Sequence, residues 1–149
     1  MKIVIADASC LITLDNIDET TLLPKLYTQI FVTPEAAVEV GDSLPAWVQQ
    51  RSSSNTSLIG QLTANLEIGE ATSIALALEI PGCLLIIDEK KGRRTAAQLG
   101  LEITGTIGIV MEGIEKGLVD SPETVVQRLE QAGFRFSETL KSKMRKTTT

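Results

Sequence analysis

The sequence predicts an α/β fold in three layers, with a central parallel sheet between helices. Three observations carry that expectation. Two short apolar runs, residues 2–6 and 83–87, are continuous rather than alternating, as strands buried on both faces are, and an aspartate ends each, Asp7 and Asp88. Strand-like and helix-like segments alternate through most of the chain, which favours a parallel sheet with right-handed crossovers. Finally, the segment 70–80 is apolar nearly all round between Ile74 and Leu78, the pattern of a helix buried against other elements.

The elements follow in order. After the first strand, residues 8–14 read as a helix start, with Asp7 or Ser9 able to cap it. A short helical piece at 22–26 leads to a strand at 29–32. Thr33-Pro34-Glu35 is a strong helix start: a hydroxyl cap, a proline in the first turn, then an acid near the positive end of the dipole. That helix stops at Gly41. The stretch from Pro45 has no clear pattern, and the Ser-rich run 51–57 reads as a surface loop. Helix 70–80 ends at Pro81-Gly82, and the strand 83–87 follows. A helix over 94–99 closes at Gly100, a fourth strand covers 101–104, and helices follow at 107–116, at 122–131 behind Ser121, and at 137–145.

Composition narrows the function. The chain has 149 residues, enough for one domain with a single core, and only 3% are aromatic, so Leu, Ile, Val and Ala must do the packing. No apolar run approaches the roughly 18 residues of a membrane span, and no apolar segment resembles a secretory leader, so a cytoplasmic setting is expected. Cys10 and Cys83 lack metal-site or redox spacing and read as reduced core thiols. The absence of histidine removes Ser-His-Asp and Cys-His triads, His-ligated zinc and imidazole acid–base chemistry together. Glycine-rich phosphate cradles and EF-hand loops are missing too. Carboxylates, hydroxyls, lysines or a metal must therefore carry any catalysis.

Charge adds a tension. The net charge is −5, and four cations in the last nine residues leave the rest of the chain near −9. Such a body repels phosphate unless bound cations reverse the local sign.

The placement of the acids suggests how that reversal is arranged. In an open parallel sheet the carboxyl ends of the strands share one edge, and ligands bind there. Asp7 and Asp88 would face one crevice if their strands are neighbours. Crowded carboxylates repel, and a hard divalent cation with oxygen ligands offsets that repulsion. Each acid also has a plainer reading. Asp7 and Asp88 can each cap the following helix, Glu70 can simply complement a helix dipole, and Glu67 reads as solvent-facing. Glu39 can mark the wet edge of its helix, and capping is the simpler role for Ser9. The run Lys90, Lys91, Arg93 and Arg94 is either a solvated face or a set of phosphate contacts beside the crevice.

Together, Val4-Ile5-Ala6-Asp7-Ala8-Ser9, Gly69-Glu70-Ala71 with Ile74-Ala75-Leu76-Ala77, and Leu85-Ile86-Ile87-Asp88-Glu89 with Gly92-Arg93-Arg94 resemble the PIN domain, in its DUF3368 branch. The later Gly105-Thr106-Ile107-Gly108 and Ala132-Gly133-Phe134-Arg135-Phe136 fit the same branch, so the likeness runs nearly end to end. The resemblance implies a PIN-like domain over 1–140 with a basic tail at 141–149. It implies a Mg²⁺- or Mn²⁺-dependent endoribonuclease, often the toxin of a toxin–antitoxin pair, and a homodimer. By position, Asp7, Glu70 and Asp88 match the metal-binding acids, with Glu39 and Glu89 as further candidates. Two features depart from the pattern: Glu70 stands where many members have aspartate, and Asp88-Glu89 are adjacent rather than a turn apart. Ser9 would orient a ligand or water, and Lys90, Lys91, Arg93 and Arg94 would meet the RNA backbone. Two rival readings stand beside this one: a PIN-like protein-binding module with little catalysis, and a metal-dependent phosphatase or DNA nuclease using the same acids.

Overall fold

Burial on both faces makes β1 (Ile3–Ala6) the centre of the sheet: Val4, Ile5 and Ala6 are fully enclosed. In this computed structural model, which describes residues 2–41 and 44–146, β1 pairs in parallel with β2 (Gln29–Val32) on one side and β4 (Leu84–Ile86) on the other. The edges are β3 (Val48–Gln50), beside β2, and β5 (Glu102–Thr104), beside β4. The strand order is β3-β2-β1-β4-β5, every pair parallel. The chain therefore winds outward from β1 in one direction, returns, and winds outward in the other. The switch point lies between β1 and β4.

Alternate residues along each strand feed two cores, as the period of two requires. Val4, Ala6, Ile30, Val32, Leu84 and Ile86 face α1 (Ala8–Asn16), α2 (Leu22–Leu26), α7 (Thr106–Glu115) and α8 (Pro122–Gln131). Ile5, Phe31, Leu85 and Ile87 face α5 (Ile68–Glu79) and α6 (Lys90–Gln98). The three expected layers are thus present. Helix α5 buries Ala71 through Ala77 without a break, and Ile74 and Leu76 alone each contribute about 2–3 kcal/mol by leaving water. The helix α3 (Pro34–Val40) lies against both α1 and α5. Its cap residue Thr33 accepts from the Ala36 N–H at 3.2 Å and shares a 2.8 Å hydroxyl bond with buried Thr72 of α5. That bond fixes the start of α3 against α5. Both cysteines are buried and free, as expected.

Several expectations need correction. The patternless stretch from Pro45 contains β3, which escapes sequence reading because only Val48 of its three residues is buried. The expected loop 51–57 ends early, because Asn55 caps a short exposed helix, α4 (Thr56–Leu62), by accepting from the Leu58 N–H at 3.1 Å. Helix α6 begins at Lys90 rather than 94, so the basic run is helical. The expected boundary between 140 and 141 falls inside α9 (Glu138–Lys146). Met144 is fully buried there, and Lys141 pairs with Glu130 of α8 at 2.7 Å. The end of the expected tail, 147–149, lies outside the described residues. Among the described residues, no helix is long and apolar enough to cross a membrane.

Candidate active site

Parallel pairing of β1 with β4, in the register Ala6 with Ile86, brings the two strand ends together. The Asp7 N–H donates to the Ile86 carbonyl at 3.1 Å, which extends the ladder one step past β1. Asp7 then caps α1: its Oδ1 accepts from the Cys10 N–H at 2.9 Å. Its Oδ2 accepts from the Asp88 N–H at 3.3 Å, across the switch point. Capping and convergence are therefore not rival readings of Asp7, because one carboxylate does both. Asp88 does not cap its own helix. Its Oδ1 accepts from the Thr106 N–H at 2.8 Å and its Oδ2 from the Thr106 hydroxyl at 2.6 Å, at the head of α7.

Beside Asp7 opens a pocket of about 400 Å³ whose walls carry Glu39, Glu67, Glu70, Glu89 and a single cation, Lys91. Two glycines let the acids approach the helices. A Cβ at Gly69, in the first turn of α5, would strike the Glu39 carboxylate. One at Gly92 would meet Ile87 Cδ1 at 2.6 Å and Glu70 Oε2 at 3.1 Å.

The electrostatics follow from burial and crowding. Asp7 is only 5% exposed, and its pKa is raised from 3.8 to about 7. Desolvation is the main cause, and the Asp88 and Glu70 charges add to it; the N–H groups of Cys10 and Asp88 oppose it. Glu70 is raised by partial burial first and then by Glu89, Glu67 and Glu39. Glu39 is raised by burial and by Glu67, against a bond from the Gly69 backbone. A pocket that disfavours its own ionised state is one that a cation would stabilise.

A family model described as DUF3368, PIN domain, matches residues 3–149. The chain belongs to the PIN-domain family. PIN domains are generally nucleases and typically use divalent metal ions. No curated protein matches the chain.

In this PIN domain the expected site residues fall into groups. Asp7 and Asp88 meet at the switch point, and Glu70, Glu39 and Glu89 line the pocket beside Asp7. Ser9 is exposed on the pocket wall, and the capping expected of it belongs to Asp7. Glu89 caps α6 by accepting from the Gly92 N–H at 3.0 Å. Of the basic run, Lys91 lines the pocket and Lys90 and Arg94 are exposed. Arg93 turns inward, its Nη1 donating to the Ile87 carbonyl at 2.9 Å.

Three further residues stand at the site. Glu67 is exposed, as expected, and also lines the pocket as the N-cap residue of α5. Its spacing one turn before Glu70 was the available signal. Asn65 lines the same pocket, and nothing in the sequence marks it. Thr106 stands within the motif Gly105-Thr106-Ile107-Gly108, but its attachment to Asp88 is visible only in the fold.

The donors offered to a metal are all oxygens, which suits a hard ion such as Mg²⁺ or Mn²⁺. Among the described residues, no three acidic or thiol side chains are gathered closely enough to hold an ion as they stand. That spacing is compatible with Mg²⁺ chemistry, because Mg²⁺ keeps several waters and takes only one or two carboxylates directly.

Proposed function

We propose that this PIN domain is an endoribonuclease that hydrolyses phosphodiester bonds with Mg²⁺ or Mn²⁺ held, directly or through water, by Asp7, Glu70 and Asp88, with Glu39 and Glu89 as auxiliary acids. The observation that carries the reading is the convergence of Asp7 with Asp88 at the switch point, beside a pocket walled by four glutamates. When bound, the metal supplies an activated water and neutralises charge on the phosphate.

The chain's own residues prepare that chemistry. Asp7, buried and crowded, changes its proton occupancy near neutral pH, so a cation entering the pocket favours its ionised form. Lys91 offers the wall's single positive charge to a phosphate, and exposed Lys90 and Arg94 extend that charge along α6. Ser9 offers a hydroxyl to a water or ligand at the pocket wall. The acidic surroundings make RNA binding dependent on the cation, which ties substrate capture to loading of the site.

The test is a mixed RNA pool incubated with the full-length chain and Mn²⁺ or Mg²⁺, beside single-stranded DNA and a phosphomonoester. Cleavage of RNA that requires metal and is nearly abolished by Asp88→Asn supports the reading. Undiminished cleavage by that variant overturns it, and preference for DNA or the phosphomonoester redirects it to the same acids acting on another phosphate ester. The proposal extends to a toxin with a cognate antitoxin and to a homodimer. Growth arrest on expression, relieved by Asp88→Asn, tests the first, and sedimentation tests the second.

One observation favours a second reading, a PIN-like binding module: the acids do not close on a single point without rearrangement. Such a module would show only weak metal binding and no cleavage of the mixed RNA pool.

A further inference from the structure

Helix α7 starts without a cap of its own. Gly105 occupies the cap position and has no side chain to offer, so the first turn is capped from another element, by Asp88. The two bonds to Asp88 come from different parts of Thr106. Its backbone N–H, which any residue but proline would supply, holds Oδ1. Its hydroxyl holds Oδ2, and the side chain is fully buried. The distinction matters because the terminal torsion of aspartate is broad, so one bond leaves the carboxylate free to rotate while two fix its plane. The surroundings leave the carboxylate room in that position. A Cβ at Gly105 would lie 2.9 Å from Asp88 Oδ1 and 2.8 Å from Arg93 Nη1, so the carboxylate fits only because that position is bare.

The geometry points to Thr106 as a positioning residue for Asp88, at the switch point beside the acidic pocket: through its hydroxyl it sets the orientation in which Asp88 meets a divalent cation. This rests on the metal-dependent reading of the site given above. A carboxylate has about four acceptor positions, so the two bonds from Thr106 leave roughly half of them for the ion or its waters, in a fixed direction. Thr106 acts through Asp88 and touches neither ion nor substrate.

The test is Mn²⁺ binding to the full-length chain by titration calorimetry, for the wild type, Asp7→Asn, Thr106→Val, Thr106→Ser and Gly105→Ala. Thr106→Val keeps the shape and the backbone bond but deletes the hydroxyl; it should weaken Mn²⁺ binding about 10- to 100-fold, the usual effect of removing a residue that orients a metal ligand. Thr106→Ser should restore most of the affinity. Gly105→Ala, whose backbone (φ −117°, ψ 179°) suits any residue, should weaken binding by displacing Asp88 with Thr106 intact. It carries the test should Thr106→Val fail to fold. Wild-type affinity in a folded Thr106→Val or in Gly105→Ala, or a Thr106→Ser as weak as Thr106→Val, overturns the inference alone. A wild-type chain that binds no Mn²⁺, or an Asp7→Asn variant that binds it undiminished, overturns the metal-site reading beneath it.

Discussion

Replacing Asp7 with Asn should stabilise the metal-free protein at neutral and alkaline pH, although Asp7 is the most deeply buried acid of the pocket. The shift from 3.8 in the unfolded chain to about 7 in the fold means that folding binds a proton between those values. Stability of the wild type therefore falls as pH rises from about 4 to about 7, and stays lowered above that. At roughly 1.4 kcal/mol per pKa unit, the full penalty is about 4 kcal/mol. With Asp7 at 5% exposure, solvent screening removes little of it. Asparagine keeps an oxygen for the Cys10 N–H but offers no second acceptor to the Asp88 N–H, a loss of about 1–2 kcal/mol. The net gain at pH 8 is then about 2–3 kcal/mol, or about 5–10 °C in Tm for a chain of this size. Below pH 4 both chains are neutral at this position, and only the lost hydrogen bond remains, so the variant should be the weaker one. Urea titrations in EDTA at pH 4, 6 and 8 measure the gap directly. A gap that does not change with pH, or that favours the wild type at pH 8, would refute the desolvation argument. Saturating Mn²⁺ should narrow the gap by stabilising only the wild type.

Other predictions follow from contacts away from Asp7. Gly92→Ala should lower stability by about 1–3 kcal/mol in thermal melts, because the new methyl meets Ile87 and Glu70 at the joint between α6 and β4. Met144→Ala should cost about 2–5 kcal/mol by emptying a fully buried position, which denaturant titration would read as a shifted midpoint; a surface-like response would return the C-terminal segment to the status of a tail. Lys91→Ala should weaken RNA binding and reduce the slope of log affinity against log salt by about 1, measured by filter binding at several salt concentrations. An unchanged slope would place the RNA elsewhere.

What could be read from the sequence and what could not divide along physical lines. β1 and β4 are legible because burial on both faces demands an unbroken apolar run, and their terminal acids mark the strand ends. β3 is an edge with one buried residue, and a strand that buries little leaves little pattern. The start of α6 is hidden for a different reason: Glu89 is at once its cap and a wall of the pocket, while Lys90 to Arg94 show no apolar periodicity.

The same division runs through the site. Asp7, Glu70 and Asp88 can be picked out as candidates because each stands at a local boundary, a strand end or a helix start, and parallel topology collects such boundaries on one edge. Glu67 shares the helix start with Glu70 and is exposed, yet that its charge also acts on Glu39 depends on how α3 packs against α5, a contact that includes the Thr33–Thr72 bond between residues far apart in the chain. Thr106 is further removed still, since its partner is set by β5 lying beside β4. Acids that end elements announce themselves locally, whereas the groups that orient those acids are chosen by packing between elements. The groups hardest to read from sequence are therefore those that hold an acid in place rather than the acids themselves, so substitutions at Thr106 or Gly105 test how Asp88 is oriented, whereas Asp7→Asn tests whether the acids form a metal site at all.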